Sequence, residues 1–135
     1  MRNQLYWQLF LRVASEEKAN RLLTRIAEST SLAIPKAHPE RYWKDPSLFR
    51  VQLVWPLTAA TTAEAVLETL QVCSHLADRW TIGPPQFYES GAWEFSGSAD
   101  SATIKIPGLA YADFQAGNIR IGNGKTAPVE EEISH

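Results

Sequence analysis

The chain has 135 residues, of which 44% are hydrophobic and 21% charged, and its formal net charge is −2. These values are typical of one globular domain whose core needs neither disulfide nor metal. The single cysteine, Cys73, excludes an intramolecular disulfide and a multi-cysteine zinc site, and it favours a cytoplasmic location. The chain has no basic run that would indicate nucleic-acid binding, and no apolar run approaches the roughly 20 residues that cross a membrane.

The N-terminal part predicts a strand over residues 5–13 followed by a helix over residues 16–29. Alternating apolar residues define the strand, and the polar Gln8 and Arg12 argue against a signal peptide there. Ser15 is a good N-cap, and the two glutamates after it suit the positive end of a helix dipole. Helical spacing is shown by Ala19, Leu22, Leu23, Ile26 and Ala27.

The stretch "HPERYWKDPSLFRVQLVWPL", residues 38–57, predicts a β-hairpin with strands near 40–44 and 48–56. Lys44-Asp45-Pro46-Ser47 has the residue types of a tight turn. The second strand alternates strictly, with Phe49, Val51, Leu53 and Trp55 on one face.

A second helix is expected over residues 62–78, because Thr61 and Glu64 form a capping box and apolar residues follow at helical spacing. Short strands are expected within residues 80–95, at Trp80–Ile82, Gln86–Tyr88 and Trp93–Phe95. The resulting order, β-α-β-β-α-β, indicates an α+β ferredoxin-like sandwich, with an antiparallel sheet and both helices on one face.

Residues 1–96 are expected to form this sandwich, and residues 97–135 a partly flexible C-terminal extension of the same domain with an additional strand. The extension contains an apolar patch over residues 104–111 and an Asn123-Gly124 turn. The expected core consists of Leu9, Leu11, Leu22, Ile26, Val51, Leu53, Val66 and Leu70.

Chemically reactive side chains are few and do not form a recognisable motif. Cys73 and His75 are two positions apart on the second helix, so their side chains diverge, and we interpret both as structural. His38 precedes a proline in a loop, and His135 is terminal. The sequence therefore predicts no catalytic, cofactor-binding or metal-binding residues and no enzymatic activity.

The hairpin predicts a protein-binding surface. If the apolar side of strand 48–56 faces the helices, Arg50 and Gln52 project from the opposite side of the sheet, as do Phe10 and Arg12 on the first strand. Aromatic and arginine side chains are typical anchors of protein interfaces. The expected partner-binding residues are Phe10, Arg12, Arg41, Tyr42, Trp43, Lys44, Arg50 and Gln52. The alternative is that residues 97–135 fold back and cover this face.

The segments "YWQLFLRV" and "ERYWKDPSLFRV", the capped helix between them, and a later W-x-I…W-x-F pattern resemble small immunity proteins of bacterial toxin systems. The resemblance covers residues 4–95 and implies a cytoplasmic inhibitor that binds a cognate toxin domain. It supplies no catalytic residues and does not locate the interface. The alternative is a dimeric α+β barrel enzyme, a small monooxygenase or haem-degrading type, for which Trp7, Asn20 and His75 are suitable residue types. A third interpretation is a small-ligand regulatory domain, and the oligomeric state stays open.

Overall fold

The computed structural model describes residues 3–30, 34, 37–122 and 125–128. The helices in this part of the chain are α1 (Glu16–Thr30) and α2 (Thr62–Leu76). Its strands are β1 (Gln4–Leu11), β2 (Glu40–Arg41), β3 (Phe49–Pro56), β4 (Thr81–Ile82), β5 (Gln86–Phe87), β6 (Trp93–Asp100), β7 (Leu109–Gly117), β8 (Ile119–Gly122) and β9 (Lys125–Pro128). The predicted Asn123-Gly124 turn and His135 lie outside the described residues.

Both helices begin at the capping residues that the sequence indicates. The Ser15 hydroxyl accepts a hydrogen bond from the backbone N–H of Lys18 at 3.2 Å. The Thr61 hydroxyl does the same for the backbone N–H of Glu64, also at 3.2 Å. Each cap satisfies an N–H group that the first helical turn leaves without a partner.

Seven strands form one antiparallel sheet in the order β2-β3-β1-β7-β6-β4, and β5 pairs with β6 as well. The central strand β1 pairs with β3 on one side and with β7 on the other, along its whole length. Strands β8 and β9 pair only with each other within the described residues. The structure therefore confirms an α+β protein with an antiparallel sheet and two helices.

The ferredoxin-like strand order is not confirmed. A split βαβ unit places another strand between the two strands that its helix connects. Here α1 connects β1 to β2, and β3 lies between these two strands, as in such a unit. The arrangement differs on the other side of β1, where a strand from residues 80–95 was expected. The other neighbour of β1 is β7, which comes from the residues that the sequence assigned to an extension. The boundary expected after residue 96 lies inside β6, between strand residues that pair continuously with β7.

The core lies between the helices and one face of the sheet. Leu5, Trp7, Leu9 and Leu11 of β1 point into it, and β7 contributes Ala112, Phe114 and Ala116. Six of the eight predicted core residues are buried: Leu9, Leu11, Leu22, Ile26, Val51 and Leu53. Val66 is half-buried against this core.

The prediction that Leu70 lies in the core is wrong, because its side chain is 38% exposed. Helix α2 instead buries Ala65, Thr69, Val72, Cys73 and Leu76. Thr69 can lie in this apolar layer because its hydroxyl donates to the carbonyl oxygen of Ala65 at 2.9 Å. The larger leucines, Leu67 and Leu70, are turned outward.

Candidate protein-interaction surface

The face of the sheet opposite the helices is open in the described part of the chain. Side chains from β3, β1, β7 and β6 form cross-strand rows on it, because directly paired residues of antiparallel strands share a face. One row consists of Arg50, Phe10, Tyr111 and Asp100, and the next of Gln52, Gln8, Asp113 and Ser98. The stretch Leu109–Gly117 of the predicted extension is a strand within the sheet and does not cover this face.

Four aromatic rings meet at one corner of the open face. The Phe10 ring lies edge-on to Tyr42 and to Tyr111, with centroid distances of 4.9 Å and 5.6 Å. The Trp43 ring follows Tyr42 at 6.3 Å. We call these residues, Phe10, Tyr42, Trp43 and Tyr111, the aromatic corner. Phe10 is buried by its neighbours, whereas Trp43 is 74% exposed.

Two cations of the predicted surface lie against these rings. The Arg50 guanidinium carbon is 5.7 Å from the centroid of Tyr42, and the Lys44 ammonium is 5.1 Å from that of Trp43. Both distances are within the range of cation–π attraction. The hairpin turn is held by Asp45, whose carboxylate accepts from the backbone N–H and the hydroxyl of Ser47 at 3.1 Å and 2.6 Å. These hydrogen bonds lower the pKa of Asp45.

Arg41, although predicted for this surface, lies on the other side of the sheet. It is the cross-strand partner of Phe49, and its guanidinium carbon is 4.5 Å from the centroid of that buried ring. Arg41 also donates to the carbonyl oxygens of Pro46 at 2.6 Å and Ala14 at 3.3 Å. It therefore joins the hairpin turn to the connection between β1 and α1. Arg12 is exposed at the end of β1 and donates to the Ser47 hydroxyl at 2.8 Å.

Gln52 belongs to a hydrogen-bonded ladder that crosses the middle of the open face. Its amide donates to the Tyr6 hydroxyl at 2.7 Å and to the Gln8 side-chain oxygen at 3.4 Å. The Gln8 amide in turn donates to the Asp113 carboxylate at 3.4 Å. Partial burial raises the pKa of Asp113, and burial together with this carboxylate raises the pKa of Tyr6. The ladder fixes the three strands beside the aromatic corner.

The structure thus brings together Phe10, Tyr42, Trp43, Lys44 and Arg50, with Arg12 and Gln52 beside them. The sequence prediction missed Tyr111 and Asp113, which reach this face from β7. The alternation of Leu109, Tyr111 and Asp113 with small residues was the signal that could have identified this strand. Of its inward-facing residues Ala112, Phe114 and Ala116, only Phe114 is large, and the two alanines make that alternation inconspicuous.

The side chains of Cys73 and His75 lie in different environments. Cys73 is buried in α2, and burial raises the pKa of its thiol to about 12, which keeps it protonated. His75 is exposed on the same helix, and His38 lies in the loop before β2. Among the described residues, no group of three or more His, Cys, Asp or Glu side chains is placed to hold a metal ion.

The three residues noted for an α+β barrel enzyme, Trp7, Asn20 and His75, lie in different environments from one another. Trp7 is fully buried against Trp80 and Phe114, with ring centroids 5.6 Å from each. Asn20 and His75 are exposed on α1 and α2.

Neither described helix has the length and apolar character needed to cross a membrane. Comparison with protein-family models, with curated proteins and with solved structures finds no match to this chain.

Proposed function

We propose that this protein is a non-catalytic binding module, an immunity protein that neutralises a cognate bacterial toxin domain in the cytoplasm by docking its aromatic corner on that domain. The observation that supports this proposal is the corner itself. It combines an exposed tryptophan, two tyrosines and two cations that lie on the rings, at the edge of an open sheet face.

Exposure of the Trp43 ring favours contact with a partner. Its described ring contacts are with Tyr42 and Lys44, and 74% of the residue faces solvent. A partner that covers such a ring removes a large apolar area from water, and tryptophan, tyrosine and arginine are the commonest binding hot spots.

The corner is also held in place before a partner arrives. Phe10 anchors it to the central strand, and Arg50 and Phe10 pack on the same Tyr42 ring. Side chains that are already ordered lose less conformational entropy on binding, and more of the contact energy then appears as affinity. The assignment to a toxin partner rests on the resemblance of "YWQLFLRV" and "ERYWKDPSLFRV" to immunity proteins.

The test measures binding to the toxin domain encoded beside this protein, with purified wild-type protein and the Trp43→Ala and Arg50→Ala variants. We expect each substitution to weaken binding by about 2 kcal/mol, which is roughly thirtyfold in Kd. Phe87→Ala is the matched control, because Phe87 is 69% exposed on β5, across the sheet from β2 and β3.

Urea unfolding of each variant first establishes that its stability equals that of the wild type. Equal Kd values for Trp43→Ala, Arg50→Ala and the wild type would contradict the proposal and make the hairpin a scaffold. A loss of affinity that is as large in Phe87→Ala would also contradict it, because the contact would then not be specific to the corner.

A further inference from the structure

We propose that the open face carries a second binding site, a polar trough over β6 that takes a guanidinium group beside the carboxylate of Asp113. The trough is a cavity of about 350 Å³ whose polar walls are Thr81, Ser96, Ser98, Asp113 and Gln115. This inference goes beyond the proposed function and does not depend on it. It follows from the contacts that these side chains make and from the hydrogen bonds that they lack.

The trough exists because β6 presents short side chains to the open face. Ser96 and Ser98 pair across the sheet with Gln115 and Asp113 of β7, and Ser98 pairs on its other side with Thr81 of β4. Directly paired residues share a face, so polar groups from three strands surround one space. Adjacent strands are roughly 4.8 Å apart, and these groups therefore spread over about 10 Å.

Asp113 differs from the other carboxylates of the described residues that are partly shielded from solvent. Each of the other three accepts a well-formed hydrogen bond, Asp45 at 2.6 Å, Glu68 at 3.1 Å and Glu94 at 2.9 Å. Asp113 accepts one long hydrogen bond, from the Gln8 amide at 3.4 Å. A carboxylate has about four acceptor sites, so most of the hydrogen-bonding capacity of Asp113 is not used within this part of the chain.

The negative charge of Asp113 is also not compensated. Among the described residues, no cation lines the trough and none forms an ion pair with Asp113. Burial raises the pKa of Asp113, because the carboxylate has lost water that no nearby cation replaces. Of the arginines around this face, Arg50 lies on the Tyr42 ring, and Arg79 lines an adjoining cavity together with Asp100.

The remaining polar walls favour a ligand that is rich in hydrogen-bond donors. Within the described residues, the side chains of Thr81, Ser96, Ser98 and Gln115 form no hydrogen bond, and their oxygens can all accept from N–H groups. A guanidinium carries five donors in one plane, so it can pair with the carboxylate and reach the neutral oxygens at the same time. A compact ammonium would reach fewer of them. An anion would be repelled by Asp113, and an apolar group would leave the walls without partners.

The test follows the backbone N–H signals of 15N-labelled full-length protein by NMR during titration with Nα-acetyl-L-argininamide. We expect saturable shifts at Ser96, Ser98, Asp113 and Gln115. The matched neutral probe is Nα-acetyl-L-citrullinamide, in which a urea group replaces the guanidinium, and it should bind about tenfold more weakly. The Asp113→Asn variant keeps the shape of the side chain and should weaken binding of the arginine probe by about tenfold. Glu28→Gln removes an exposed carboxylate from α1 and should bind this probe as the wild type does.

Urea unfolding first compares the stability of each variant with that of the wild type. If Asp113→Asn is less stable, Ser98→Leu decides, because it fills the trough, leaves the carboxylate in place and should also lose binding. Four results would overturn the inference: no saturable shifts at the trough, unchanged binding in both trough variants, equal binding of the citrulline probe, or tighter binding of Nα-acetyl-L-lysinamide.

The source of the guanidinium is decided with the toxin domain encoded beside this protein. If Asp113→Asn weakens that complex, the group is an arginine side chain of the partner. If the complex is unchanged while the arginine probe binds the wild type, the trough takes a free guanidinium compound. The proposed function is tested separately, by Trp43→Ala, so the two can fail independently.

Discussion

Leu11 and Leu53 lie on neighbouring strands and point into the same core layer, where they are 0% and 2% exposed. Replacing either with alanine removes buried methyl groups and leaves a cavity, so we expect a loss of about 2–5 kcal/mol in the free energy of unfolding. Leu70→Ala is the matched control. That side chain lies outside the core, and its truncation should change stability by no more than about 0.5 kcal/mol. Urea unfolding measures all three, and unchanged midpoints for Leu11→Ala and Leu53→Ala would contradict the core assignment.

At the scale of single residues, the sequence predicted which side chains of β1 and β3 share the open face, but it did not predict where the Arg41 side chain lies. Strict alternation along β1 and β3 was enough to place Phe10, Arg50 and Gln52 on one face. The sequence could not show on which face of the sheet Arg41 lies. Only two residues of β2 pair with β3, which is too short for an alternating pattern, and the chain turns immediately afterwards. Its side chain follows Phe49 to the helix side, where it binds backbone carbonyls. Composition cannot distinguish such an arginine from one that contacts a partner.

At the scale of elements, β6 contains a position that admits no side chain. A Cβ atom on Gly97 would lie 2.6 Å from the Phe114 ring and 3.0 Å from Ile82. The Phe114 ring is itself enclosed by Trp7, Trp80 and Phe95, with centroids 5.3–5.7 Å away, so it has little room to move. The contact between β6 and β7 therefore depends on this glycine.

We expect Gly97→Ala to lower the free energy of unfolding by about 1–3 kcal/mol, as overpacked cores do. Gly117→Ala should cost at least as much, because its Cβ would lie 2.3 Å from the Trp93 backbone oxygen, which cannot rotate away. Gly83→Ala is the control, since the nearest atom would be 3.9 Å away. Thermal and urea unfolding test the series, and equal stability of the Gly83 and Gly97 variants would show that β6 and β7 are not packed as described.

Strand β7 shows why the elements were largely predictable and their arrangement was not, because the sequence predicted it only as an additional strand of an extension, without bounds or a place in the sheet. Helix caps and alternating strands are local signals, and they placed α1, α2, β1 and β3 within a few residues. Pairing partners are non-local, and the inner side of β7 carries a single large residue, Phe114, between Ala112 and Ala116, so its apolar pattern is inconspicuous. The order of the strands in the sheet could therefore not be predicted from the sequence.

At the scale of the whole molecule, β7 is the connection between the two halves of the sheet. It pairs with β1 over residues 109–117 and with β6 over residues 111–117. On one side of it lie β1, β3 and β2, and on the other β6 and β4. Without β7, the backbone hydrogen-bonding groups along one side of β1 would have no partner, and Trp7 would lose its contact with Phe114.

A chain that ends at residue 96, the boundary suggested by the sequence, should therefore not fold cooperatively. It lacks all of β7 and half of β6, and the remaining strands cannot bury the apolar side of β1. We expect the fragment to lose the near-ultraviolet circular dichroism of the buried tryptophans and to unfold over a broad denaturant range, as loosely packed states do. A chain that ends at residue 128 retains every described strand and serves as the control. A sharp unfolding transition of the 1–96 fragment at the full-length midpoint would contradict this prediction, because the sandwich would then be complete without β7.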